Sequence, residues 1–395
     1  MDREGVLLTA QRDPYLTELQ TTVVSCEPAD GGCAVVLDDT PFYPASGGQP
    51  SDAGSVGGRT VTALSRRGDG AVIHIIAEHI EPRMKVTARI DWRRRFDLMQ
   101  QHTAQHLFTA IAQDRFGLKT TAFHLGELMS DVELDSPAIA RPKLLEIEAA
   151  VNEVIRKNLV VTVREVEPSE MAALGVRSRG LPEGFNGLVR LVGVDGIDLN
   201  TCGGTHVRST GEIQLFKVAQ TEQMRGGTRV FYMAGGRVVA AMEASLERDR
   251  AVSRVLSCAP DQFATSAASI LESSRLAAKD LRALQMELAE HLGQSIAPEG
   301  GVVHLHRGGG DLEFMKALAD SAKRCTPGVT VFLTADAGTG AGLFLISGPP
   351  DRVKATGPEA ARLMEGKGGG PPGVFQGKAS RLSGRTEVLD LLKKA

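Results

Sequence analysis

The sequence predicts an α+β protein in four successive segments: a small β-barrel over 1–91, an α+β domain over 92–236, a helical hairpin over 237–296 and a small α/β domain over 297–395. Three observations lead there. Short β-prone runs separated by Asp, Gly and Pro fill 21–90. Helical and strand patterns then alternate around two clusters, His102 to His106 and Cys202 to His206, each with two metal-competent side chains four positions apart. After Gly235-Gly236 the composition turns to Ala, Leu, Glu, Arg and Gln, and strand and helix patterns resume beyond Pro298.

With 395 residues, 42% hydrophobic and 24% charged, the chain can fill one or two sizeable cores divided among two or three domains. Its longest apolar runs fall well short of the roughly 18 residues of a membrane span. Met1-Asp2-Arg3-Glu4 does not open a signal peptide, so neither anchoring nor export is expected. Five scattered cysteines, an odd number, point to reduced thiols and a cytoplasmic setting. Those other than Cys202, namely Cys26, Cys33, Cys258 and Cys325, read as structural. A net charge of −3 excludes a generally basic nucleic-acid binder, so any RNA contact must use local patches.

The barrel strands are expected at Thr21–Ser25, Ala34–Leu37, Thr60–Leu64, Ala71–Ile76 and Lys85–Ile90. Among them, Phe42 to Asp52 contains Ser46-Gly47-Gly48-Gln49, where paired glycines let the backbone approach a ligand or simply make a turn. Asp91 can cap a helix running to Gly117, with Phe96, Met99, Thr103, Leu107, Ala110 and Ile111 on its buried stripe and His102 and His106 at the edge. Arg93, Arg94 and Arg95 occupy its first turn, where the helix dipole disfavours cations. They face either a phosphate backbone or solvent.

Lys119 to Glu133 reads as a turn and a strand containing Thr120, Thr121 and His124. An amphipathic helix follows over 141–158, then a strand at Val160–Val166, a loop at Ser178–Gly184 and a strand at Leu188–Val194 that delivers the Cys202 loop. Strands at Glu212–Val218 and Thr228–Ala234 close the unit. Helices over 237–256 and 262–293 suggest an antiparallel arm. In the last segment, strands Val302–His306, Val329–Thr334 and Gly342–Ser347 alternate with helices near 311–323 and 357–365. Its tail, Gly366 to Arg385, carries Lys367, Lys378, Arg381 and Arg385 without an acid, a phosphate-binding pattern on what reads as a glycine-rich loop.

The two clusters make one four-point metal site. In a helix His102 and His106 lie one turn apart and can turn both imidazoles to one ion. Cys202 and His206 enclose Gly203 and Gly204, which suits a loop folded tightly where a side chain would clash. One thiolate and three imidazoles form a borderline-soft donor set that suits Zn²⁺.

With these residues in place, the chain resembles the stand-alone alanyl-tRNA editing proteins of the AlaX type, in the long form whose C-terminal domain is similar to that of alanyl-tRNA synthetase. The resemblance rests on Ser46-Gly47-Gly48-Gln49, the H-x3-H at 102–106, Cys202-Gly203-Gly204-Thr205-His206 and the glycine-rich tail, and it covers nearly the whole chain. It implies a zinc-dependent hydrolase that cleaves serine, and sometimes glycine, from mischarged tRNA(Ala). His102, His106, Cys202 and His206 then hold one Zn²⁺, Gly47, Gly48 and Gln49 line the aminoacyl pocket, and the C-terminal domain binds the tRNA duplex. Departures at Ala45, where relatives often carry an acid, and at His124, where the synthetase editing domain has glutamine, bear on amino-acid specificity.

An aminoacyl ester is already activated, so cleavage requires a placed water, a stabilised oxyanion and a leaving hydroxyl. A catalytic zinc needs an open position, so one of the four candidates, His206 or a histidine of the first pair, is expected to yield to water. His102, His106, Gln49 and His124 are the expected catalytic residues, with Thr120 and Thr121 bonding to substrate. A pocket that hydrogen-bonds the serine hydroxyl would reject alanine by leaving its own polar group unpaired. Arg93, Arg94, Arg95, Lys367, Lys378 and Arg381 are the expected tRNA contacts. Two other readings remain, an editing factor for Ser-tRNA(Thr) and a non-catalytic RNA-binding protein with a structural zinc.

Overall fold

Alternating apolar residues close the first strands into a barrel. The computed structural model describes residues 7–178, 180, 181, 185, 187–298, 301–338 and 340–395 and divides into two units, Met1–Arg250 and Ala251–Ala395. The first begins with a short helix, α1 (Thr9–Arg12), and then β1 (Glu18–Ala29), β2 (Gly32–Leu37), β3 (Gly54–Val56), β4 (Arg59–Arg66), β5 (Val72–Ile76) and β6 (Lys85–Ile90). These form a closed barrel in the order β1-β2-β5-β4-β3-β6, sealed by β1 against β6 from Glu18↔Arg89 to Thr22↔Lys85. Val23, Val35, Phe42, Val56, Ile76 and Ala88 fill its interior. The expected barrel is present, with β3 as an additional three-residue strand.

Asp91 caps α2 (Trp92–Phe116) by accepting the Arg94 N–H, and Gly117 ends it in the left-handed region at φ 68°. The expected single buried stripe is corrected by the structure, because every residue from Leu98 to Ala112 is buried. The helix is wrapped by β7 (Thr120–His124), β8 (Ser130–Leu134), α3 (Arg141–Lys157) and further elements, so its polar residues need internal partners. Gln101 bonds both backbone groups of Ala234, and Gln100 donates to the Glu212 carbonyl.

Arg95 is a second correction. Its side chain is fully buried, paired bidentately with the buried Asp52 and donating to the carbonyls of Pro14 and Pro41. It locks the helix start to the barrel and offers nothing to a phosphate. Arg94 donates to the Ser51 carbonyl, while Arg93 is exposed.

Next come β9 (Val161–Val166), β10 (Val189–Val194) and β11 (Asp198–Thr201), an antiparallel sheet in the order β11-β10-β9. The loop expected at 178–184 lies partly outside the described residues, at 179 and 182–184. β12 (Phe216–Met224) and β13 (Gly227–Ala234) complete a four-stranded sheet in the order β12-β13-β8-β7. The strand expected from Glu212 begins only at Phe216, because Thr210–Ile213 form a 3-10 turn and Gln214 takes φ 68°. No residue of α4 (Gly236–Leu256) is buried.

In the second unit, α5 (Phe263–Ser295) buries only Ala289 and Gly293. A Cβ on Gly293 would lie 2.6 Å from Ser321 Cβ, so glycine permits its close packing on α6 (Leu312–Cys325). β14 (Val302–Gly308), β15 (Thr330–Asp336) and β16 (Gly342–Ser347) are followed by α7 (Pro350–Leu363), β17 (Gly366–Gly369), β18 (Val374–Ala379) and α8 (Arg385–Lys394). The sheet order is β14-β15-β16-β18-β17, parallel only between β14 and β15. The expected helix at 357–365 starts earlier, at Pro350, where proline suits the first turn. The glycine-rich tail is a hairpin instead of a loop, because β16 supplies the backbone partners that its own side chains do not favour.

Candidate metal centre

Helix periodicity stacks His102 and His106 on α2, and β11 leads into the loop that carries Cys202 and His206. One ligating atom from each of these four residues lies within 4.8 Å of the others. Cys202 Sγ is 3.4 Å from His102 Nε2 and 3.2 Å from His206 Nε2, and the Gly204 N–H donates to the sulfur. Of the two glycines between the ligands, Gly204 is the one under constraint. A Cβ there would stand 2.2 Å from His102 Cε1, whereas Gly203 has its nearest neighbour at 3.5 Å.

Each imidazole is oriented from behind. His102 Nδ1 lies 2.9 Å from Gln49 Oε1, His106 Nδ1 lies 2.9 Å from Asp198 Oδ2, and His206 Nδ1 lies 3.2 Å from Thr103 Oγ1. With Nδ1 engaged in all three, Nε2 is the atom left for an ion, the arrangement that fixes tautomer and ring direction at metal sites. Gln49 accepts the Thr205 N–H and donates to Thr205 Oγ1, so both ends of its buried amide are in use. Asp198 is held by Arg177 Nε at 2.9 Å, and the other face of that guanidinium meets Asp114. Buried Arg190 donates to the carbonyls of Cys202 and Gly204 and thereby shapes the ligand loop.

The electrostatics match a thiolate among imidazoles. Burial opposes ionisation of Cys202, but His102 and His206 hold the thiol well below its ordinary range. Burial, reinforced by His102, pulls His206 down to about 3. Burial would also lower His106, yet its contacts with Asp198 and Cys202 push it up to about 10. The donor set, the Nδ1 partners and the space kept clear by Gly204 together fit Zn²⁺.

A cavity of about 550 Å³ reaches the cluster and is lined in part by His102, His106, Cys202, Gly47, Thr120 and Phe123. Gly48 packs on Phe123, and its carbonyl accepts the Leu125 N–H. Thr121 and His124 are not among the residues lining the cavity; Thr121 bonds to the Glu133 carbonyl, and His124 turns to Asp131 at 3.2 Å.

Sequence reasoning missed Asp198, Arg177, Arg190 and Gln105. Gln105 lines the cavity, donates through Nε2 to Thr109 Oγ1 at 2.7 Å, and has a buried Oε1 with no partner among the described residues. Thr120 Oγ1 donates to the same Thr109 oxygen at 3.1 Å. The signal that could have found Gln105 was its place inside the H-x3-H turn, one residue before His106. In the second unit, a groove of about 690 Å³ runs beside β17 and β18, with Lys367 and Lys378 in its lining.

Residues 189–232 match the family described as the threonyl and alanyl tRNA synthetase second additional domain. Over 400 residues the chain is 40% identical to a Mus musculus protein named alanyl-tRNA editing protein Aarsd1, covering 97% of this chain and 96% of that one. A Methanosarcina mazei protein named alanyl-tRNA editing protein AlaX-M is 33% identical over 237 residues, 56% of this chain and 93% of its own length. An alanine–tRNA ligase of Halobacterium salinarum is 30% identical over 330 residues, 78% of this chain and 35% of the ligase.

Proposed function

Because the chain belongs to the alanyl-tRNA editing proteins, we propose that it is a cytoplasmic deacylase that hydrolyses the ester of serine, and of glycine, mis-attached to tRNA(Ala). The observation that carries this reading is the cavity of about 550 Å³ reaching His102, His106 and Cys202. A purely structural zinc cluster is closed on all sides, whereas a catalytic one keeps access for water and substrate. In this proposal His102, His106, Cys202 and His206 would hold one Zn²⁺, with one of the three histidines giving way to water. When bound, the ion supplies a Lewis acid and lowers the pKa of adjacent water.

The chain's own residues supply the rest. Gln49, Thr103 and Asp198 fix the three imidazoles, so little reorganisation remains when substrate enters. Gly47 and Phe123 shape the aminoacyl end of the cavity. Gln105 Oε1 has no hydrogen-bond partner among the described residues, and we assign it to the serine hydroxyl, with Thr109 holding the amide nitrogen and Thr120 bonding Thr109 in turn. Alanine would enter without that donor and leave the acceptor buried and unsatisfied. Glycine, also lacking the hydroxyl, is expected to be the poorer substrate.

For tRNA, the exposed Lys367 and Lys378 face each other across the β17-β18 pairing at the edge of their sheet. Opposed like charges disfavour the hairpin and favour an anion, which supports a phosphate contact there. Arg381 lies 3.3 Å from Glu365 and is a weaker candidate. Deacylation of Ser-tRNA(Ala), Gly-tRNA(Ala) and Ser-tRNA(Thr) by wild type and Cys202→Ala tests the proposal. Cleavage of the first two by wild type alone supports it. Equal low rates for both proteins would leave a non-catalytic binder, and preference for Ser-tRNA(Thr) would move the assignment to threonine's tRNA.

A further inference from the structure

A second group of soft ligands lies at the barrel, away from the residues used so far. Cys26 pairs with Val35 and Pro28 with Cys33 across β1 and β2, so the two cysteines are two register places apart and share one face of the pleat. His79, in the loop between β5 and β6, completes the group. Both sulfurs and one ring nitrogen of His79 lie within 4.8 Å of one another. The Ile80 N–H donates to Cys26 Sγ at 3.5 Å, and His79 Nε2 lies 3.5 Å from Glu81 Oε1.

We propose that Cys26, Cys33 and His79 form a second Zn²⁺ site, independent of the Cys202 cluster. Two thiolates and an imidazole are a zinc donor set, and three protein ligands leave the fourth place to water on the half-exposed side of His79. A backbone N–H on a ligating sulfur and a carboxylate near the histidine are the supports such sites use. Both cysteines also touch the barrel core. Apolar packing accounts for them, but not for an imidazole close to both sulfurs and a backbone N–H on Cys26. Burial and the neighbouring Cys26 push the Cys33 thiol up. Binding replaces two S–H bonds by two Zn–S bonds and releases two protons to solvent. The ion would tie the β1-β2 hairpin to the β5-β6 loop and brace the barrel, so these two cysteines do more than the structural filling their sequence suggests.

The test is an anaerobic Co²⁺ titration of the reduced full-length protein, with wild type, Cys202→Ala and Cys26→Ser/Cys33→Ser compared. Cys202→Ala should retain a strong thiolate-to-cobalt band in the near ultraviolet. The double variant should lose most of that band while deacylating mischarged tRNA at the wild-type rate. His79→Ala, at a half-exposed loop position, should bind Co²⁺ roughly tenfold or more weakly without loss of fold. Added Zn²⁺ should raise the thermal midpoint of Cys202→Ala. A folded Cys202→Ala protein with no thiolate band would overturn the proposal, as would closure of a Cys26–Cys33 disulfide with no uptake of metal.

Discussion

His106 Nδ1 lies 2.9 Å from Asp198 Oδ2, both side chains almost fully buried, joining the middle of α2 to the first residue of β11. The carboxylate is held in turn by Arg177, whose guanidinium reaches Asp114 at the end of the same helix. His106 is therefore aimed by a chain of charges that starts and finishes on α2.

Asp198→Asn keeps the shape and removes the charge behind His106. Zinc affinity, measured by competition with a chromophoric chelator in a Cys26→Ser/Cys33→Ser background, should fall about 10–100-fold with the fold intact. Undiminished affinity would mean that Asp198 does not support the ligand.

Gln105→Leu removes the acceptor that has no partner among the described residues, at nearly constant volume. Single-turnover cleavage of Ser-tRNA(Ala) should slow by about 10–100-fold, a loss of roughly 1.4–3 kcal/mol, while Gly-tRNA(Ala) changes little. An equal drop for both esters would transfer the Gln105 contact to a group that the two substrates share.

Lys367 and Lys378 stand opposite each other on an edge hairpin. Lys367→Ala should leave stability unchanged or slightly higher, weaken tRNA binding, and reduce the slope of log affinity against log salt by about one. A salt slope identical to wild type would remove this hairpin from the tRNA interface.

His74 sits inside the barrel, with Nδ1 3.1 Å from the Val35 carbonyl and Nε2 2.9 Å from Thr40 Oγ1. Burial pulls its pKa down to about 4 from an ordinary 6.5. A base depressed in the folded state contributes stability that is present above pH 6.5 and lost as pH falls toward about 4, because only the unfolded chain takes up the proton. The loss should approach about 3 kcal/mol, read by denaturant unfolding of Trp92, the single tryptophan, which packs against the barrel core. A His74→Phe variant with the same acid sensitivity would assign that sensitivity to other groups.

The barrel and both ligand clusters could be read from local pattern, because strand alternation and one-turn spacing depend only on near neighbours. β3 and β11 could not, being only three and four residues long: β3 is held between its neighbour β4 and the more distant β6, and β11 folds back on β10 across a short turn. Arg95 looked like a surface cation at a helix start, and only Asp52, 43 positions earlier, makes it a buried clamp. Asp198 and His106 are 92 positions apart, so no spacing rule connects them. Gln49 was expected to face substrate, and its amide is instead shared between His102 and Thr205. The glycine-rich tail carries little strand propensity, and its pairing is imposed by β16.

Cleavage of a mischarged tRNA at this centre is proposed to require a zinc ion held by His102, His106, Cys202 and His206. The most direct test is single-turnover deacylation of Ser-tRNA(Ala) by metal-stripped protein before and after reloading with Zn²⁺, with Cys202→Ala alongside. Stripping should abolish cleavage, Zn²⁺ should restore it in wild type, and Cys202→Ala should stay inactive while folded. Full activity in the stripped protein, or wild-type rates from Cys202→Ala, would contradict that requirement.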